Sequence, residues 1–176
     1  MKLFSPVFRR ITQSLRVGDS ATRVGVCVGF DSMAMVVVPA GSEPQVRACK
    51  VAQVSDGKAV QAALKQFVNK NHLRGMSAVL TLPSSEFDLH QLERPDVPEA
   101  ELAQALRWKL KDLIDYPVSR AVVDVFPAAP SRHGSTNSVF AVSADKDKLS
   151  ERVEQIKSAG LKLARIDIAV LSLIHI

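Results

Sequence analysis

Few residues in this chain combine a type and a spacing that could do chemistry. His72, His90, His133 and His175 stand alone, without a second ligand at metal-binding spacing. They read as solvated or core histidines, and no metal ligand is expected. The acids Asp96, Glu99 and Glu101 crowd the start of a helix, where they complement its dipole rather than form an acid–base pair. No glycine-rich loop of the P-loop or dinucleotide type occurs. What remains is the stretch Gly25-Val26-Cys27-Val28-Gly29-Phe30-Asp31-Ser32, a strand running into a tight turn. No catalytic residue is expected.

The elements that would position this stretch follow from periodicity. Strands are predicted over Arg23 to Gly29, Met33 to Pro39 and Gln45 to Gln53, with Phe30-Asp31-Ser32 turning the first into the second. A helix capped by Ser55 or Asp56 places Val60, Ala63, Leu64, Phe67 and Val68 on one face. Gly75 closes the connection to a short strand from Ser77 to Leu82, which Pro83 stops. The pattern then resets. Glu86 to Glu93 reads as a half-buried strand with Phe87, Leu89 and Gln91 inward and Asp88, His90 and Leu92 outward. Pro98-Glu99-Ala100-Glu101 opens a helix that buries Leu102, Leu106, Leu110 and Leu113. Strands at Ala121 to Phe126 and Ser138 to Ser143 follow. A helix from Lys146 to Ala159, with Leu149, Val153 and Ile156 inward, ends at Gly160. A last strand runs from Leu161 to Ile166, and Asp167 is expected to cap what comes next.

Composition narrows the class. The 176 residues are 47% hydrophobic, enough for one packed domain or two small ones. The longest apolar runs are strand-length, well below the ~20 residues that cross a bilayer. Arg9 and Arg10 interrupt the apolar residues after Met1, so no secretory signal is read. Cys27 and Cys49 read as reduced thiols, which implies a reducing, cytosolic-type compartment. Of the +5 net charge, most comes from Lys2, Arg9, Arg10, Arg16 and Arg23. With one Trp and one Tyr in the chain, no stacking platform accompanies that charge, and nucleic acid is not expected as a partner. Ser5-Pro6 starts a short basic helix instead. Its stripe of Phe8, Ile11 and Leu15 beside Arg9 and Arg10 suits a membrane surface or a partner, or packing on the domain itself.

The stretch from Gly25 to Ser32 resembles the first phosphate loop of actin-like ATPases, and most closely that of the pilus-assembly group typified by PilM and including MshI of the MSHA pilus. Three further pieces agree in order. Ala78 to Pro83 resembles the strand closing the first subdomain. Glu99 to Pro117, with Trp108 inside and Tyr116-Pro117 at its end, resembles the inserted subdomain's helix. Ala159-Gly160-Leu161 followed by Arg165-Ile166-Asp167 resembles the return. The resemblance implies an α/β fold: an actin-like (ribonuclease H-like) mixed-sheet subdomain carrying an inserted small α+β subdomain. The expected division is a helix and linker over 1–22, the first subdomain over 23–83, the insert over 84–160 and the return over 161–176. The chain is expected to be truncated, with a tail, Ser172 to Ile176, that is foreign to the fold.

Within that resemblance, Cys27, Gly29, Phe30, Asp31 and Ser32 form a nucleotide-loop remnant. Nucleotide-binding relatives place an Asp where Cys27 stands and often a Lys where Ala34 stands. A thiol and a methyl group can neither organise a metal nor neutralise phosphate. ATP and magnesium are therefore cofactors of relatives and none is expected here. The resemblance implies a non-catalytic scaffold, cytoplasmic and peripheral to the inner membrane, that binds the cytoplasmic tail of a PilN-like inner-membrane protein. An actin-like ATPase of the same family and an unrelated α/β enzyme subunit are the alternatives. Trp108 lies about 160° around its helix from the leucine stripe. It shares a face with Gln104, Lys111 and Asp115, so Trp108, Gln104 and Lys111 are the candidate partner-binding residues, against packing of the indole at a subdomain boundary.

Overall fold

A computed structural model describes residues 23–40, 45–128 and 137–169. The helix expected from Ser5, with Phe8, Arg9, Arg10, Ile11 and Leu15, lies outside the described residues. So do His133, His175 and the tail from Ser172.

The described chain divides into two compact units. Of the described residues, those from 23 to 85 and from 150 to 169 form one, and those from 86 to 149 the other. In the first unit, β1 (Arg23–Val28), β2 (Ser32–Val38) and β3 (Ala48–Gln53) make successive antiparallel pairs. Helix α1 (Gly57–Lys70) carries the chain across to β4 (Ser77–Leu82), which lies parallel to β1. After the second unit the chain returns as β8 (Lys162–Ile168), parallel to β4. The strand order is β3-β2-β1-β4-β8.

Period-two alternation builds this core. Val24, Val26 and Val28 of β1, Met33, Met35 and Val37 of β2, and Ala78, Leu80 and Leu82 of β4 are all buried. Their neighbours in sequence are half-buried or exposed. Asp56 caps α1 by accepting from the Ala59 N–H at 2.8 Å. Val60, Leu64, Phe67 and Val68 are the stripe that α1 buries.

The end of α1 is an αL cap built on an unusual residue. The Leu73 N–H donates to the Val68 carbonyl at 2.9 Å, and His72 takes φ +55°. Buried Leu73 sits beside buried Val68, the apolar contact that accompanies such a motif. Helix α3 (Lys146–Ser158) ends in the same way: the Leu161 N–H donates to the Ile156 carbonyl at 3.3 Å and Gly160 takes φ +91°. Glycine adopts that conformation without the Cβ clash that burdens histidine. His72→Gly is therefore expected to stabilise the protein by about 0.5–1 kcal/mol, read as a raised midpoint in urea.

In the second unit β5 (Asp88–Glu93), β6 (Ala121–Pro127) and β7 (Ser138–Asp145) form an antiparallel sheet in the order β5-β7-β6. Helix α2 (Glu99–Lys109) packs Leu102 and Leu106 against Val139, with Leu92, Val97 and Val125 around them. This reverses the facing expected for Gln91 and Leu92, while Phe87, just before β5, is buried as expected. Leu92 stands opposite Val139 in the ladder, so it shares that residue's inward face, and Gln91 is exposed. Leu113 also departs from expectation, at 46% exposed. Beyond Lys109 the backbone tightens into three-residue turns, with Lys111 N–H donating to Trp108 and Leu113 N–H to Leu110. The 3.6-residue stripe therefore stops at Leu110.

Two boundaries shift. The expected end of the insert at residue 160 moves to Leu149, within α3. From Ser150 onward this helix packs on α1. The Gln61 side chain donates to Ser158 Oγ at 2.7 Å, and a Cβ on Gly57 would stand 2.9 Å from Glu151 Oε1. Asp167 lies inside β8 rather than capping a helix, and its carboxylate pairs with Arg165 Nε at 2.9 Å. The third strand begins at Ala48, three residues later than expected at Gln45.

Candidate functional site

The hairpin turn is the one place in the first unit where the sequence suggested ligand chemistry. Gly29 N–H donates to the Ser32 carbonyl at 2.7 Å, closing a tight turn with Phe30 and Asp31 at its tip. A Cβ on Gly29 would meet the Ser32 carbonyl oxygen at 3.2 Å, so the close approach favours glycine. The Asp31 carbonyl accepts from Val54 N–H at 2.8 Å, which ties the tip to the segment entering α1. Phe30 is 97% exposed.

Parallel pairing puts the carboxyl ends of β1, β4 and β8 on one edge, beside this turn. Ligands of open α/β sheets bind at that edge. The ladders align Ala34, Cys27, Thr81 and Asp167 in a row across four strands near it. Asp167 is the row's only ionisable oxygen. Burial raises its carboxyl above the ordinary value of 3.8, and Arg165 opposes that rise. The acid is thus already engaged by a neighbour on its own strand. Cys27 and Ala34 bring a thiol and a methyl group to this row, neither a carboxylate nor an ammonium. Among the described residues no cluster of three His, Cys, Asp or Glu could hold a metal ion. Neither cysteine forms a disulfide; Cys27 is half-buried and Cys49 exposed.

The second unit carries the other candidate. Trp108 is 64% exposed on α2, and Gln104, Lys111 and Asp115 are exposed with it. Its helix is anchored by the residue just before it, about 100° around the helix. Arg107 donates to the carbonyls of Val118 at 3.0 Å, Ser119 at 3.2 Å and Ala121 at 2.5 Å, holding the connection into β6.

Sequence reasoning missed two polar clusters in this unit. Tyr116 Oη lies 3.1 Å from both Asp88 Oδ2 and Ser143 Oγ. Burial, chiefly, pushes the phenol well above its ordinary range, so it stays protonated and can donate. Asp145, 5% exposed, accepts from Arg120 at 2.6 Å through Oδ2 and from the Asp147 N–H at 2.8 Å through Oδ1. It thereby closes β7, opens α3 and ties both to the start of β6. The only local signal was an acid directly before a helix start. The turn residues belong to the first unit and Trp108 to the second.

A five-stranded sheet in which β2 alone runs against the rest, interrupted between β4 and β8 by an α+β unit, has the actin-like, ribonuclease H-like architecture. Solved structures share it. The chain is similar to the cytoplasmic domain of EpsL, an inner membrane component of the type II secretion system of Vibrio cholerae. Identity is 20% and the TM-score 0.66, over 86% of this chain and 59% of that one. It is also similar to a chain of the PilM–PilN type IV pilus biogenesis complex, at 20% identity and a TM-score of 0.71, over 89% of this chain and 49% of that one. This chain therefore spans about half to three-fifths of the structures it matches. No protein-family model matches the sequence, and no curated protein does. No helix among the described residues is long and apolar enough to cross a membrane.

Proposed function

We propose that this chain is part of a non-catalytic cytoplasmic scaffold of a type IV, MSHA-like pilus assembly platform, of the PilM and MshI kind. It binds the cytoplasmic tail of a PilN-like inner-membrane protein and so sits peripheral to the inner membrane. The observation that carries this reading is the likeness in fold to the PilM–PilN complex over 89% of the chain. A thiol at Cys27 and a methyl group at Ala34, where nucleotide-binding relatives carry Asp and Lys, support the absence of nucleotide chemistry. Trp108, Gln104 and Lys111 are the residues assigned to the tail. Phe8, Arg9, Arg10, Ile11 and Leu15 supply a membrane or partner contact, with arginines suited to anionic headgroups.

Pull-down of the full-length protein by a peptide of the partner's cytoplasmic tail tests the scaffold. Retention is expected, and no retention at tens of micromolar would remove the reading. Isothermal titration of the full-length protein with Mg-ATP should give no specific binding and no hydrolysis. Micromolar affinity would show instead that the turn serves a nucleotide without the usual charges.

A further inference from the structure

A strand at the edge of a sheet leaves one row of N–H and C=O groups unpaired, and proteins commonly blunt such edges with charge, proline or a bulge. Among the described residues, three of the four edge strands are blunted. β8 carries Lys162, Arg165 and Asp167 and has a register shift against β4. β5 carries Asp88 and Glu93, and β6 carries Asp124 and ends on Pro127. β3 is the exception. Its one charge, Lys50, donates to Gln66 Oε1 on α1 at 2.8 Å and so is drawn off the edge.

The ladders fix which groups β3 leaves free. Gly29 N–H donates to the Ser32 carbonyl, so Ser32, Ala34 and Val36 turn toward β1, and Met33 and Met35 toward β3. Val54 N–H donates to the Asp31 carbonyl in the same phase. Lys50 and Ala52 therefore bond to β2, while Cys49, Val51 and Gln53 direct their N–H and C=O groups outward. The side chains of those three are exposed as well, with Val51 66% exposed. Exposed apolar residues mark both ends of this edge: Val46 before β3, and Phe30 in the turn that Asp31 ties to Val54.

The two faces beside the edge differ in chemistry. On one, Cys49 and Val51 stand opposite Val36 and Ala34. The charged residues of that face, Arg23, Arg165 and Asp167, lie on β1 and β8, two or more strands away. On the other, Lys50 meets the ridge of α1 formed by Lys58, Ala62, Gln66 and Lys70, which repeats every four residues and is exposed throughout. Helix α1 contains three lysines and no acid, and Asp56 before it is engaged as its cap. We propose that β3 pairs with an extended segment of a partner protein in which acidic and apolar residues alternate. Such alternation lays the apolar side chains beside Cys49 and Val51, and the carboxylates beside Lys50 and the lysine ridge. A second copy of β3 fits worse, because it would bring Lys50 and the α1 lysines of the two copies together. The edge belongs to the first unit and Trp108 to the second, so this contact is additional to the tail binding proposed above.

Amide exchange with water, read residue by residue by nuclear magnetic resonance on the full chain, tests the pairing. The probe is a capped hexapeptide of alternating glutamate and valine. At about 2 mM peptide the N–H groups of Cys49, Val51 and Gln53 are expected to exchange about tenfold more slowly. Lys50 and Ala52, already bonded to β2, serve as the reference. Unchanged exchange at the three, or equal slowing by a lysine–valine counterpart, would overturn the proposal. So would slow exchange before any peptide is added: relieved by dilution, it would assign the edge to a second copy, and insensitive to dilution, to the chain itself. Val51→Pro removes one outward N–H without breaking a bond to β2, and should abolish the slowing at Cys49 and Gln53. Val51→Thr keeps that N–H and should retain it. Equal slowing in both variants would overturn strand pairing. Pull-down by the PilN-like tail reports separately on the scaffold.

Discussion

Replacing Trp108 with alanine is expected to weaken binding of the PilN-like tail by ~2 kcal/mol or more, about 30-fold in Kd, while leaving the fold nearly intact. Leu102, Leu106 and Leu110 are fully buried, so the second unit's core is complete without the indole. At 64% exposed, the ring buries too little surface for its loss to approach the ~3–5 kcal/mol typical of a core tryptophan. Large rigid aromatics dominate interfaces because they bring area at low entropic cost. Trp108→Phe should retain most of the affinity. The measurement is a titration of the tail peptide against wild type and both variants, alongside urea unfolding of each. Unchanged affinity together with a loss of several kcal/mol in stability would make Trp108 a structural residue.

Asp145→Ala is expected to have the largest effect on stability of any polar substitution in the second unit, about 2–3 kcal/mol. Two interactions disappear together: the cap on the Asp147 N–H and the ion pair to Arg120. Breaking a buried pair commonly costs 3–5 kcal/mol. The cost here falls below that range because the Arg120 side chain is 45% exposed and water takes over part of the lost contact. Arg120→Ala is the informative companion, because it leaves the buried carboxylate with only the Asp147 N–H. If the interaction is as described, the double variant should lose less stability than the two singles summed, by chemical denaturation. A loss below 0.5 kcal/mol in Asp145→Ala would show that the carboxylate is solvated in solution.

The candidate site was only partly legible. The tight turn at Gly29 could be read from residue types alone, because glycine beside a polar tip marks such turns wherever they occur. Trp108 could be placed off the leucine stripe by angle, since the first turns of α2 follow the helical period. Neither reading could reveal that Cys27, Thr81 and Asp167 stand in line. That row exists only once β4 and β8 are set parallel to β1.

The same division runs through the fold. Alternation along β1, β2 and β4, the stripe of α1 and the stop at Gly160 were determined by the sequence, because each depends on side chains a few residues apart. Glycine takes φ +91° at no steric cost, so Gly160 announces its own helix end. His72 makes the same turn and announces nothing. Its φ of +55° is sustained by Leu73 burying beside Val68, a contact that forms only when α1 lies in its place in the first unit. Leu92 turned inward because Val139, some fifty residues on, became its neighbour in the ladder. Asp145 became a linchpin because Arg120 arrives from β6's approach to pair with it. Local pattern sets which face of an element is apolar. Which residue then loses its water depends on the partner that the tertiary structure lays against it.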